Sequence, residues 1–198
     1  MVRDNLAGFE RRGSPPGALI RAAVAVVLAP GPAGESTFVI TRRADRPGRH
    51  SGQWALPGGR SDPEEPPEVT ALRELEEEIS VPATDVEVLG LLDDYETRSG
   101  FVITPVVAWM DRTPRFAPDP REVAAVYQVG VHSLEHESVP RIWHIEESPR
   151  PLLGVPLAEL ETVIHAPTAA LLFQLREVGL LGRATRVAGY EQPVFAWR

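Results

Sequence analysis

The chain has 198 residues, 43% of them hydrophobic, enough to bury a core of ordinary size, and no apolar run reaches the roughly 18 residues that a membrane-spanning helix needs. A formal net charge of −8 argues against a nucleic-acid backbone as partner, and the absence of cysteine removes disulfides, thiolate nucleophiles and Cys-ligated zinc. All 20 basic residues are arginine, which excludes Schiff-base and P-loop lysine mechanisms as well.

Residues 1–17 mix charges with Gly13, Pro15, Pro16 and Gly17 and read as a loose lead-in outside the core, leaving 18–198 as a single domain. The N-terminus lacks a basic segment followed by an apolar one, so a cytoplasmic location is the default expectation. Ile20 to Ala29 is an almost unbroken β-branched and small apolar run that resumes at Thr37–Thr41 after Pro30-Gly31-Pro32, the pattern of two strands joined by a turn. Pro57-Gly58-Gly59 then forms a tight, backbone-exposed loop before a helix predicted over about 66–79. Ser80-Val81-Pro82 ends that helix. Downstream, Val86–Leu92, Phe101–Trp109 and Val123–Val131 are predicted strands, with Thr97-Arg98-Ser99-Gly100 as the hairpin connection between the first two. A helix over Pro167–Val178, closed by Gly179, and a short strand through Pro193–Trp197 complete the chain.

The predicted helix carries an apolar stripe of Val69, Leu72, Leu75 and Ile79, and its period places Glu74, Glu77 and Glu78 together on the opposite face. Like charges one turn apart destabilise an isolated helix by about 0.2–0.5 kcal/mol per pair, so the cluster suits a hard divalent cation with a preference for oxygen ligands. Arg73, one turn from Glu77, is placed to hold that carboxylate. Acidity alone is better explained by a solvated helix face; it is the spacing of the whole stretch that points beyond it.

Gly59, Glu65, Arg73, Glu74, Leu75, Glu77, Glu78 and Val81, read with the glycine loop before them, resemble the box of the Nudix hydrolase family over residues 59–81. The resemblance implies an α/β (α+β) Nudix fold, an α/β/α sandwich with a mixed β-sheet and a loop–helix catalytic box. It implies hydrolysis of a diphosphate in a nucleoside diphosphate derivative by a water activated on Mg2+ or Mn2+. Carried over position by position, Glu74 and Glu78 are the main metal ligands, Glu77 a third ligand or the base, and the carbonyl of Gly58 or Gly59 a further ligand. Glu65 and Arg73 become supports for the helix carboxylates. The base can also lie outside the box, where Glu122, at the entry to a predicted strand, is the preferred residue. One position departs from the box: Ser80 stands where the family has glycine, and serine takes a left-handed helix cap only with strain.

Upstream, Ile40-Thr41-Arg42-Arg43 and His50-Ser51-Gly52-Gln53-Trp54-Ala55-Leu56-Pro57-Gly58-Gly59 resemble the extended motif of coenzyme A diphosphatases. That likeness implies Arg42, Arg43, His50 and Gln53 as substrate-binding residues, arginine for phosphate and the other two as hydrogen-bond donors. Ala44, Pro47, Gly48 and Leu56 depart from the motif, leaving open another substrate such as ADP-ribose, a dinucleotide or a nucleotide sugar. A non-hydrolytic nucleotide-sensing regulator on the same fold is a further alternative, disfavoured because all three box glutamates are present. A small-molecule nucleotide is the expected partner, without nucleic acid or membrane; similar proteins are often homodimers. His132-Ser133-Leu134-Glu135-His136 matches a zinc-protease pattern, but it follows a strand-like run and meets Pro140 within four residues, too little room for the helix such a site needs.

Overall fold

The computed structural model describes residues 1–45 and 52–197. His50, together with Pro47, Gly48, Arg49 and Ser51, lies outside the described residues. The chain divides into two compact units, one of Ala22–Leu89 and Pro105–Val131, the other of Met1–Arg21, Gly90–Thr104 and His132–Arg198.

The first unit is built on strands that alternate too little to face water on one side. β1 (Ile20–Pro30) and β2 (Ser36–Arg43) are buried along most of their length, as their continuous apolar runs require. They pair antiparallel across the predicted turn, Leu28 opposite Phe38. The strand order runs β3 (Trp54–Ala55), β2, β1, β7 (Phe101–Trp109), β5 (Glu87–Leu91), with β4 (Gly58–Arg60) paired to β1 and β8 (Val123–Gly130) to β2. Helix α2 (Pro67–Ile79) packs on β4. Pro66 sits at its N-cap and Pro67 at its first position, where a missing N–H costs nothing.

The apolar stripe of α2 is rotated from the one predicted. Val69 is 51% exposed and Leu72 half-buried, while Thr70, Ala71, Leu75, Glu78 and Ile79 are buried. The small side chains at 70 and 71 face inward, where they permit close packing, and the large Val69 is turned out. Glu78 therefore leaves the solvent face, and the three glutamates do not all point the same way. Ser80 takes the left-handed cap (φ 59°, ψ 38°) expected of glycine, and its hydroxyl donates to the carbonyl of Ala117 at 2.8 Å.

In the second unit the 1–17 segment is not a loose lead-in. Helix α1 (Val2–Ala7) buries Leu6, and the Arg12 and Ser14 amides donate to the buried carboxylates of Asp93 and Asp94, both at 2.7 Å. The Thr97–Gly100 turn joins β6 (Tyr95–Glu96) to the opening residues of β7, so the predicted hairpin exists with a shorter first strand. A three-stranded antiparallel sheet absent from the sequence reading follows: β9 (Arg141–Ile145), β10 (Ser148–Leu157) and β11 (Thr162–His165), in the order β11-β10-β9. Helix α3 (Thr168–Gln174) does not stop at Gly179. It continues as a π-helical segment through Leu180, and Gly182, at φ 64°, makes the turn instead. The predicted last strand at 193–197 is a 3-10 turn, Val194–Ala196, because Trp197 folds back to donate its indole N–H to the Gln192 carbonyl.

Candidate active site

All described members of the predicted box lie in the first unit. β4 brings its two glycines against α2, and each is needed for a different close approach: a Cβ on Gly58 would run into the Ala23 carbonyl and Val24, and one on Gly59 into the Glu74 carboxylate. The Gly58 amide donates to Glu78 Oε2 at 3.3 Å. The contact seen at Gly58 is thus its N–H on a box carboxylate.

Arg73 is the hub of the box. Its Nε and Nη2 grip the two oxygens of Glu65, each at 3.1 Å, in the bidentate geometry that makes arginine–carboxylate pairs strong. Nη1 reaches Glu74 at 2.8 Å and Glu77 at 3.2 Å, and Nη2 also donates to the Arg60 carbonyl at 3.1 Å. One guanidinium therefore ties the loop before the helix to two of its carboxylates. Glu65 accepts in addition from the Asp62 amide and the Thr70 hydroxyl. The Arg73 hydrogen bond, with these two behind it, pulls its carboxyl down to about 2.

The other carboxylates are shifted the opposite way. Burial raises Glu74 above the usual range, against the pull of Arg73, and the charges of Glu77 and Glu122 add to the rise. Glu78, 4% exposed, is pushed up to about 7 by burial, with Glu74 and Glu122 adding repulsion and Arg43 and the Gly58 amide opposing it. Three carboxylates and one arginine thus share a field, although they come from α2, β2 and the entry to β8.

Glu122 arrives through a well-braced turn. The amides of Ala117 and Asp119 donate to the carbonyls of Ile79 and Glu78 at the end of α2, and the Ser80 hydroxyl adds a third bond to the same segment. Asp119 then accepts from Arg121 at 2.6 Å through its side chain and from the Glu122 and Val123 amides, each at 2.9 Å, through its carbonyl. The Ala44 amide bonds the Glu122 carbonyl at 2.8 Å, fixing that turn to the end of β2.

The predicted substrate residues are divided. Arg43 lies in the field of Glu78. Arg42 is exposed and opposite Trp54 in the β2–β3 pairing, so it shares a sheet face with that ring and, two residues away, with Tyr127, which pairs with Ile40. Trp54 and Tyr127 are in ring contact, 5.1 Å between centroids, a neighbourhood not anticipated from the sequence because the two are 73 positions apart. Gln53 is half-buried, its carbonyl accepting from the Arg43 amide at 2.9 Å.

Among the described residues no three His, Asp or Glu side chains stand as a ready-made metal cage. The carboxylates here are engaged by Arg73 and by the Gly58 amide. Their donor chemistry nonetheless fits a hard divalent cation: all are oxygens, and Glu78 and Glu74 both carry like-charge repulsion that such a cation would remove. The zinc-protease pattern does not become a site. His132 lies in a 3-10 turn, 73% exposed, with Glu159 at 3.5 Å, and His136 bonds Ser138.

No helix among the described residues is long and apolar enough to cross a membrane. Comparison with known proteins finds an uncharacterized Nudix hydrolase, NudL, of Yersinia pestis (strain Pestoides F), 41% identical over 113 residues, and the same match in Yersinia pseudotuberculosis. The aligned region covers 57% of this chain and 56% of those relatives, so the chain spans little more than half their length. Among solved structures, the M. smegmatis Nudix hydrolase RenU is 26% identical over 62% of this chain and 77% of its own, with a TM-score of 0.47. A C. elegans Ap4A hydrolase is 19% identical over 59% of this chain and 85% of its own, with a TM-score of 0.48. The family model described as NUDIX domain matches residues 19–150, a span that holds the box helix, its glycine loop and Glu122, and the fold is the α/β arrangement of a mixed sheet with few helices that the box implied: the chain belongs to the Nudix hydrolase family.

Proposed function

We propose that this protein hydrolyses the diphosphate bond of a nucleoside diphosphate derivative with Mg2+ or Mn2+, and that coenzyme A or an acyl derivative is its substrate, yielding phosphopantetheine and adenosine 3′,5′-bisphosphate. The observation that carries the chemistry is the shared field of Glu74, Glu78 and Glu122 around a box organised by Arg73. Glu74 and Glu78, with Glu77 beside them, would hold the cation. Bound there, a divalent ion shields the charge of the diphosphate and lowers the pKa of a coordinated water.

The protein's own groups supply the rest. Glu122 is the base for the attacking water, since its charge acts on both Glu74 and Glu78 and its backbone is held from both sides of its turn, whereas Glu77 is 60% exposed and tied to Arg73. Oxygen from water bonds to phosphorus as the bridging P–O bond breaks, one proton passes to Glu122, and the leaving phosphate departs with the electron pair. Arg43 balances the charge of the diphosphate from the side of Glu78. Positioning and electrostatics account for most of the acceleration. Support for coenzyme A comes from the motif around Arg43 and Gln53, with His50 as the expected third contact.

The test is product analysis after incubation with Mg2+ or Mn2+ and coenzyme A, ADP-ribose, NADH and diadenosine polyphosphates. Release of adenosine 3′,5′-bisphosphate from coenzyme A in preference to cleavage of the others is expected. Preferred cleavage of another compound would remove coenzyme A and keep the chemistry, and no cleavage of any would favour a nucleotide sensor. Glu74→Gln and Glu78→Gln should each lower turnover on the order of 100-fold or more with an unchanged circular dichroism spectrum; wild-type turnover in both would sink the box assignment.

A further inference from the structure

Three segments of the second unit meet at Glu191: the Thr97–Gly100 turn, the start of β10 and the C-terminal stretch. The Glu191 amide donates to the Pro151 carbonyl at 2.8 Å, which lays the C-terminal stretch beside β10. Its carboxylate accepts from the Gln192 amide at 3.0 Å through Oε1 and from the Ser148 hydroxyl at 2.8 Å through Oε2. Two guanidiniums converge on that same Oε2. Arg98 donates through Nε at 3.2 Å and Nη2 at 2.6 Å, and Arg150 through Nε at 3.3 Å and Nη2 at 3.0 Å. Glu191 is 1% exposed, whereas each arginine side chain is 43% exposed. Two positive charges therefore face one buried negative charge. Each guanidinium spends its Nε edge on Glu191, and among the described residues no protein group accepts from either Nη1.

Other arginine pairs of this unit are closed differently. Arg11 and Arg21, which share Asp94, also donate to backbone carbonyls, and Arg176, which shares Glu177 with Arg183, is 17% exposed. Arg98 is braced on a further side, its guanidinium carbon 4.8 Å from the centre of the Trp197 ring and its amide donating to Gln192 Oε1 at 2.8 Å. The Arg150 amide donates to the Ser148 hydroxyl at 3.2 Å. Both forks are thus ordered before any ligand arrives, which lowers the entropy lost on binding. We propose that Arg98 and Arg150 form an anion site for a phosphate monoester, with Glu191 as the buried group that positions them. A planar carboxylate is satisfied by one guanidinium edge, whereas a tetrahedral phosphate presents enough oxygens to accept from two edges at once. The net positive charge of the cluster favours the same ligand. The terminal phosphate of a nucleotide and inorganic phosphate share this chemistry, and the test separates them.

Isothermal titration calorimetry on the full chain tests the site, with inorganic phosphate and adenosine 3′,5′-bisphosphate as probes at fixed ionic strength. Chelator keeps divalent cations out, so the outcome does not depend on the proposed hydrolysis. Wild type is expected to bind with a Kd of about 1 mM or below. Arg98→Lys and Arg150→Lys keep a positive charge on Glu191 but lose the outward edge, and each should weaken binding at least about tenfold, while Arg183→Gln leaves it unchanged. Binding of the bisphosphate about tenfold tighter than that of phosphate, and equally sensitive to the lysine variants, identifies a nucleotide phosphate as the ligand; equal affinities identify inorganic phosphate. No saturation with either probe by about 10 mM, or lysine variants that bind like wild type, would overturn the site. Unchanged circular dichroism spectra separate lost binding from lost folding.

Discussion

Glu78 shows how helical periodicity can place a residue on the wrong side of its helix. The likeness to the Nudix box implied a ligand there, yet periodicity put it on the solvent face, whereas it is 4% exposed with its carboxyl pushed up to about 7. The folded, metal-free protein thus holds this proton more tightly than the unfolded chain, whose ordinary value is 4.5. The associated stability is present below that value and is lost as pH rises through about 7, by at most about 3 kcal/mol. In chelator, urea denaturation of the wild type should give a lower midpoint at pH 8 than at pH 5. Glu78→Gln, which removes the buried charge, should lack that component. A variant less stable than wild type at pH 8 would show that the carboxylate is not under the repulsion described. Arg73 was legible as a partner of Glu77 because helical spacing dictates that contact. Its bidentate grip on Glu65 was not, since the loop path that returns Glu65 to the helix has no periodicity to reveal it.

At the scale of elements, β1, β2, β7, β8 and α2 follow from apolar runs, proline positions and glycine turns, all local signals. The small sheet was missed for an equally local reason: β10 contains Pro149, Pro151 and Pro156, which argue against a strand, and only pairing with β9 and β11 makes it one. Ser80 lies between these cases. The need for a left-handed cap was readable, but the bond to Ala117 that offsets its strain joins residues 37 positions apart. Ser80→Gly should lie within about 0.5 kcal/mol of wild type, because relief of strain offsets the lost bond, while Ser80→Ala keeps the strain and should cost about 0.5–1 kcal/mol. Equilibrium denaturation of both variants checks the order, and an alanine variant as stable as the glycine one would remove the proposed compensation.

At the scale of the whole molecule, Glu191 holds distant segments of its unit together. It is 1% exposed and accepts from Arg98 at 2.6 Å, Arg150 at 3.0 Å and Ser148 at 2.8 Å. Burial would raise its carboxyl, but Arg98, the Gln192 amide, Ser148 and Arg150 together hold it at about 2. The sign is opposite to that of Glu78: this stability is present above the ordinary value of 4.5 and is lost as pH falls towards 2. Glu191→Gln leaves two arginines facing a neutral group and should cost about 3 kcal/mol at pH 7, with a flatter acid limb in thermal unfolding. A loss below about 0.5 kcal/mol would show that the cluster is not a structural tie.

The sequence by itself determined the family likeness, the residues that match the box, the helix that carries them and the main strands, because each is encoded within a few turns of helix or a few residues of strand. Tertiary structure alone decided which face of α2 is buried, that Glu122 and Arg43 enter the field of Glu78, and that Asp93, Asp94 and Glu191 serve as buried ties. Those outcomes depend on burial and on charges brought together across tens of residues of chain. Desolvation and Coulomb interaction act through space, and spacing along the chain carries no record of them.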